Sequence, residues 1–124
     1  MKVCFLYNAQ LHQIPHSLPI ALELAIHHPD IEVEVAGANP RHLDFAQRIA
    51  QRCAPDAKVA YHLLERSWHG RLRVLLTGAL APNKKRTLRR NARYLAGFDA
   101  LVTPERTSIA LRREGRLPPR TRMI

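Results

Sequence analysis

Three features of this 124-residue sequence predict an α/β fold built on a doubly wound parallel sheet. Short apolar, strand-like runs alternate with helix-like stretches along the chain. The first run, Val3-Cys4-Phe5-Leu6-Tyr7, is apolar throughout, as expected of a strand covered on both faces. The pairs Asn39-Pro40 and Thr103-Pro104 follow strand-like runs and carry the side chains that start helices. Right-handed crossovers then favour a sheet of about five strands in the order 3-2-1-4-5, with the first strand central.

The elements follow in order. The stretch Ser17 to His28 is apolar almost all round, so the pattern predicts a helix lying against the sheet and largely covered. Ser17 is placed to cap its first turn, where Pro19 is tolerated. The run Ile31 to Ala36 alternates apolar and charged residues, which predicts a strand with one side near water. After the turn Gly37 to Pro40, Leu43, Ala46, Ile49, Ala50 and Cys53 recur at helical spacing. Lys58 to His62 reads as a third strand and Glu65 to Arg71 as a polar connection containing Trp68-His69-Gly70. A helix is expected over Leu72 to Ala81, broken by Pro82, and another from Asn83 through Leu95, closed by Gly97. Asp99 to Thr103 reads as the fourth strand. A helix from Thr103-Pro104 through Arg113 stops at Gly115. Leu117-Pro118-Pro119 is an extended linker, and Arg122-Met123-Ile124 opens a fifth strand. Because that strand is barely begun, the expectation is one domain over residues 1–124 that forms the front part of a longer protein.

Composition narrows the function classes. An apolar content of 46% over 124 residues suffices for a core without staples. The longest apolar runs fall short of the ~20 residues of a membrane span, and the N-terminal run lacks a cleavage site, so a cytoplasmic location is expected. Cys4 and Cys53 have neither metal-like nor redox spacing and read as two buried thiols. The formal charge of +10 favours anionic partners.

The loop from Asn8 to His16 is the foremost site candidate, because open α/β sheets hold ligands beyond the carboxyl ends of their strands. It has no glycine, so it cannot bring backbone close to a pyrophosphate as a G-x-G-x-x-G loop does. It offers the amides of Asn8, Gln10 and Gln13 and the imidazoles of His12 and His16, groups that bind and deprotonate alcohols. Pro15 argues against a regular helix spanning the two histidines, and no metal site or cofactor is implied. His27 and His28 suit a helix C-terminus, Glu23 reads as exposed or paired, and His42, His62 and His69 read as surface or loop residues. On the helix from Asn83 to Leu95, Lys84, Lys85, Arg86, Arg89, Arg90 and Arg93 oppose Leu88, Ala92 and Leu95. That coherent basic stripe is either a solvated face or a surface for anions, including an acidic membrane at its inner face. Nucleic acid is not indicated, since no zinc-finger spacing or aromatic RNA-binding signature is present.

The segments Phe98-Asp99-Ala100-Leu101-Val102-Thr103-Pro104-Glu105-Arg106-Thr107-Ser108 and His12-Gln13-Ile14-Pro15-His16-Ser17-Leu18-Pro19-Ile20-Ala21 carry a resemblance. Together they resemble the N-terminal half of GT-B-type, Rossmann-like transferases, notably bacterial glycosyltransferases and CDP-glycerol glycerophosphotransferase-like proteins. The resemblance implies an acceptor-side domain for moving a glycosyl or glycerophosphate group from a nucleotide-activated donor to a hydroxyl acceptor, as in cell-envelope polysaccharide synthesis. It implies that Thr103, Glu105 and Thr107 face the cleft. It also implies a general base at His12 or His16, of which His16 stands nearer the helix start. The family's donor-gripping half has no counterpart in these 124 residues, so the chain is expected to be inactive alone. The rival readings are a non-catalytic partner-binding or relic half-domain and a sugar-nucleotide epimerase-like domain.

Overall fold

The element order reproduces the expected alternation of strands and helices. The computed structural model describes residues 1–8, 11–65 and 84–124. Its elements are β1 (Lys2–Tyr7), a 3-10 turn (Leu11–Gln13), α1 (Ile14–His27), β2 (Glu32–Gly37), α2 (Pro40–Cys53) and β3 (Val59–Leu63). Then come α3 (Lys84–Arg90), α4 (Ala92–Leu95), β4 (Ala100–Val102), a second 3-10 turn (Arg106–Ser108), α5 (Ile109–Arg113) and β5 (Arg122–Met123). The expected helix over Leu72 to Ala81, the Trp68-His69-Gly70 segment, the Asn83 cap and Gln10 lie outside the described residues.

All strand pairs are parallel, and the sheet order is β3-β2-β1-β4-β5, a Rossmann-like arrangement with β1 central. The strand period of two divides the core between the sheet's faces. Val3, Phe5 and Tyr7 face Ile14, Leu18, Ala21 and Leu22 of α1 and Ala46 and Ala50 of α2. Cys4 and Leu6 share the opposite face with Leu88, Leu95, Leu101 and Leu111. This double burial is why β1 is apolar at every position after Lys2.

Several expectations are corrected. α1 begins at Ile14, three residues before Ser17, with Pro15 in its first turn; His12 lies before it in the 3-10 turn, so no regular α-helix spans the two histidines, as expected. Ser17 is therefore no cap; its Oγ is 2.8 Å from the Tyr7 hydroxyl and 3.5 Å from the Gln13 carbonyl oxygen. Pro19 lies inside the helix, where its ring removes the bond that residue's N–H would give. Nor is α1 covered all round, since Ile20 is 60% exposed and Ile26 is also at the surface. Glu23 is exposed and pairs with His27 at 3.1 Å, one helical turn on.

On β2, Glu34 is half-covered: it accepts a 2.5 Å hydrogen bond from the Tyr94 hydroxyl. Tyr94 in turn stacks on His62 at 4.1 Å and meets Phe98 edge-on at 5.2 Å, so His62 is a packing residue. His42 is buried, with Nδ1 3.4 Å from the Tyr7 carbonyl oxygen, whereas Cys53, at the last turn of α2, is exposed. Only Cys4 of the two thiols is buried; burial, and next the Glu34 charge, push it well above its ordinary pKa. Asn39 caps α2 as expected, accepting from the Arg41 N–H at 3.0 Å, with Pro40 in the first turn.

The expected single helix to Leu95 is interrupted at Asn91. This buried side chain accepts from the Glu65 N–H and donates to the Glu65 and Thr87 carbonyls, joining the chain after β3 to α3. The helix expected from Thr103 is delayed to Ile109. Thr103 Oγ1 instead accepts from the Glu105 N–H and donates to Ser108 Oγ, holding a turn in place of a first helical turn. Gly115 does stop α5: at φ +65° it closes a Schellman motif, with Gly115 N–H on the Arg112 carbonyl and Arg116 N–H on that of Leu111.

Candidate functional site

Neighbouring crossovers diverge between β1 and β4, where the strand order reverses, and ligands of open α/β sheets bind beyond the carboxyl ends of such strands. Asn8 is the first residue past β1 and is 2% exposed. Thr103, Glu105 and Ser108 follow β4. The sheet register sets Phe5 beside Val102, the last residue of β4, and β1 runs on past it to Tyr7.

The two loops are joined there. The Asn8 backbone N–H donates to Glu105 Oε1 at 3.1 Å. Glu105 is 8% exposed, and its own N–H donates to Thr103 Oγ1 at 3.3 Å. Asn8 Nδ2 reaches the Lys84 carbonyl at 3.5 Å, while its buried Oδ1 finds no donor among the described residues. An amide oxygen left without a donor in a buried place is costly unless a water or ligand hydroxyl supplies one.

This geometry separates the expected site residues into groups. Asn8, Thr103 and Glu105 come together; Thr107 lies in the adjoining 3-10 turn. Gln13 is half-buried at the start of α1. His12 and His16 are exposed on the 3-10 turn and first turn of α1, and neither has a hydrogen-bond partner among the described residues. An imidazole acting as base is usually held by an orienting hydrogen bond, and the described residues supply none. Ser108, not singled out as a candidate from the sequence, joins this junction: it is fully buried, and its Oγ accepts from Thr103 Oγ1 at 3.0 Å. The only signal for it in the sequence was a hydroxyl five residues after Thr103.

The Glu105 carboxylate has a chemical consequence. In a dinucleotide-binding fold, backbone amides at the end of the first strand point at a pyrophosphate. Here the first such amide is already taken by an anion, and a second anion at that spot would meet a buried carboxyl group. The position suits a neutral, hydroxyl-bearing ligand instead.

The basic stripe is also partitioned. Arg89 forms a two-pronged pair with Glu114, Nε to Oε2 at 2.8 Å and Nη2 to Oε1 at 2.6 Å. Arg90 Nε lies 3.4 Å from Glu65 Oε2. The stripe is therefore not one uniformly free cationic face. Lys84 is half-buried, Lys85, Arg86 and Arg93 are exposed, and Leu88 and Leu95 are buried opposite them as expected. Among the described residues no cluster of His, Cys, Asp and Glu could hold a metal, and no helix is long and apolar enough to cross a membrane. Compared with known proteins, the chain matches no family model, no curated protein and no solved structure.

Proposed function

We propose that this chain forms the acceptor-side wall of a transferase that moves a glycosyl or glycerophosphate group from a nucleotide-activated donor to an alcohol. A second, Rossmann-like half grips the donor across a cleft. The observation that carries the reading is the Asn8–Glu105 junction at the switch point. It closes the strand end to a diphosphate and leaves the Asn8 amide oxygen as an acceptor for a ligand hydroxyl. In the reaction, the acceptor hydroxyl gives its proton to an imidazole of the adjoining segment, His16 or His12. Its oxygen attacks the anomeric carbon or phosphorus of the donor, and the nucleotide leaves with the bonding electrons. Neutralising the departing nucleotide is the task of the donor half.

The test is an amide-resolved NMR titration of the 124-residue chain with glycerol and simple hexoses on one side and nucleoside diphosphates on the other. Polyols are expected to shift Asn8 and its neighbours, and UDP, GDP and CDP to leave Asn8 unmoved. A nucleoside diphosphate that shifts Asn8 at lower concentration than any polyol overturns the reading. The chain alone is also expected to release no nucleotide from UDP-, GDP- or CDP-activated donors above a heat-killed control.

A further inference from the structure

A groove of about 440 Å³ lies between α3 and α5, lined by Lys85, Arg106, Ile109, Ala110, Arg113 and Glu114. Three of those side chains are cations that come from three elements: α3, the second 3-10 turn and the end of α5. None of the three has a carboxylate partner among the described residues. The single acidic side chain of the lining, Glu114, is already neutralised. It holds Arg89 by two hydrogen bonds and Arg116 by a third at 3.0 Å, and these arginines pull its carboxyl down to about 2. The groove is therefore net positive, with three cations from different elements lining one space. Its remaining lining is apolar: Ala110, and Ile109 at 44% exposed.

We infer that the α3–α5 groove binds a phosphate monoester, with Arg106, Arg113 and Lys85 around the phosphate and Ile109 against the organic part. Guanidinium groups donate two parallel hydrogen bonds to phosphate oxygens, and a lysine adds a mobile point charge. Three cations lining one groove match a dianion better than they match a carboxylate. The apolar lining has a use only if the anion carries carbon. The inference does not rest on the transferase reading, and its readout is binding.

The experiment measures binding of the 124-residue chain to glycerol 3-phosphate in solution and to phosphatidylcholine vesicles with or without phosphatidic acid. Binding of the soluble ester assigns a free phosphate ester; binding confined to phosphatidic acid vesicles assigns a lipid headgroup. In either arm, Arg106→Gln/Arg113→Gln is expected to weaken binding about tenfold or more, the scale of one to two charge-assisted contacts. Arg41→Gln/Arg52→Gln removes the same formal charge from exposed positions of α2, outside the groove, and is expected to cost less than about twofold at moderate salt. Arg106→Lys/Arg113→Lys should keep much of the binding, and Lys85→Gln carries the test if the double glutamine variant does not fold. No binding to either probe, or equal losses from the two glutamine pairs, overturns the inference.

Discussion

Glu105 and Asn8 stand 97 positions apart, yet their hydrogen bond closes the central strand. Glu105→Ala would leave a buried N–H without an acceptor, so it is expected to destabilise the chain by about 1–3 kcal/mol. Glu105→Gln keeps an oxygen there and is expected to cost less; urea unfolding of the two variants measures the difference. The two cysteines provide a second residue-scale prediction. Cys4 is buried and its thiol is held protonated, while Cys53 is exposed. A thiol reagent such as DTNB should label Cys53 rapidly in the native chain and Cys4 only on unfolding. Rapid native labelling of both would contradict the burial of β1. Tyr7 behaves alike: burial pushes its hydroxyl up to about 12, against the opposing effect of its bond to Ser17.

At the scale of elements, Asn91 and Gly115 do different work. Asn91 sits between α3 and α4 and binds three backbone groups from its own helix and the end of β3. Asn91→Ala strips all three, and a loss of about 1–3 kcal/mol is expected from the backbone groups left unpaired. Gly115 is the one described residue with positive φ, and nothing lies within 4 Å of where a Cβ would be. Gly115→Ala should therefore cost only its backbone strain, about 1 kcal/mol, with no steric addition. Thermal unfolding should rank Asn91→Ala below Gly115→Ala. The reverse order would mean that the Asn91 junction contributes little.

Over the whole molecule, the charge of +10 is distributed by a few acidic anchors. Glu114 is the clearest: its two-pronged bond to Arg89 fixes α3 to the end of α5, and its carboxyl lies at about 2 against an ordinary 4.5. The pair is exposed, so its effect on stability is small. Its sign is nevertheless set. A carboxyl whose folded pKa is depressed contributes stability that is full above about 4.5 and fades as pH falls toward 2. The stability gap between the native chain and Glu114→Gln should therefore shrink over that acid range, and a gap that widened there would exclude the assignment.

What the sequence determined by itself is the α/β class, the strand order and the two-faced burial of β1. These depend on periodicity and on crossover handedness, which neighbouring residues and general chain geometry encode. The Asn39-Pro40 start of α2 and the Gly115 stop were legible for the same reason: caps are made by residues two to five apart. Asn8 and Glu105 were named as candidates from the sequence, but not as partners of each other. Tertiary structure alone decided which donors and acceptors meet across long separations: Asn8 with Glu105, Tyr94 with Glu34, Arg89 with Glu114. It also moved helix starts, because Ser17 and Thr103 found partners in Tyr7 and Ser108 instead of capping, and it broke up the basic stripe, pairing Arg89 and Arg90 with carboxylates and setting Lys85 in a groove with Arg106 and Arg113. Charge and hydroxyl groups carry no periodic signature, so their roles are fixed only when folding brings a distant partner within hydrogen-bond reach.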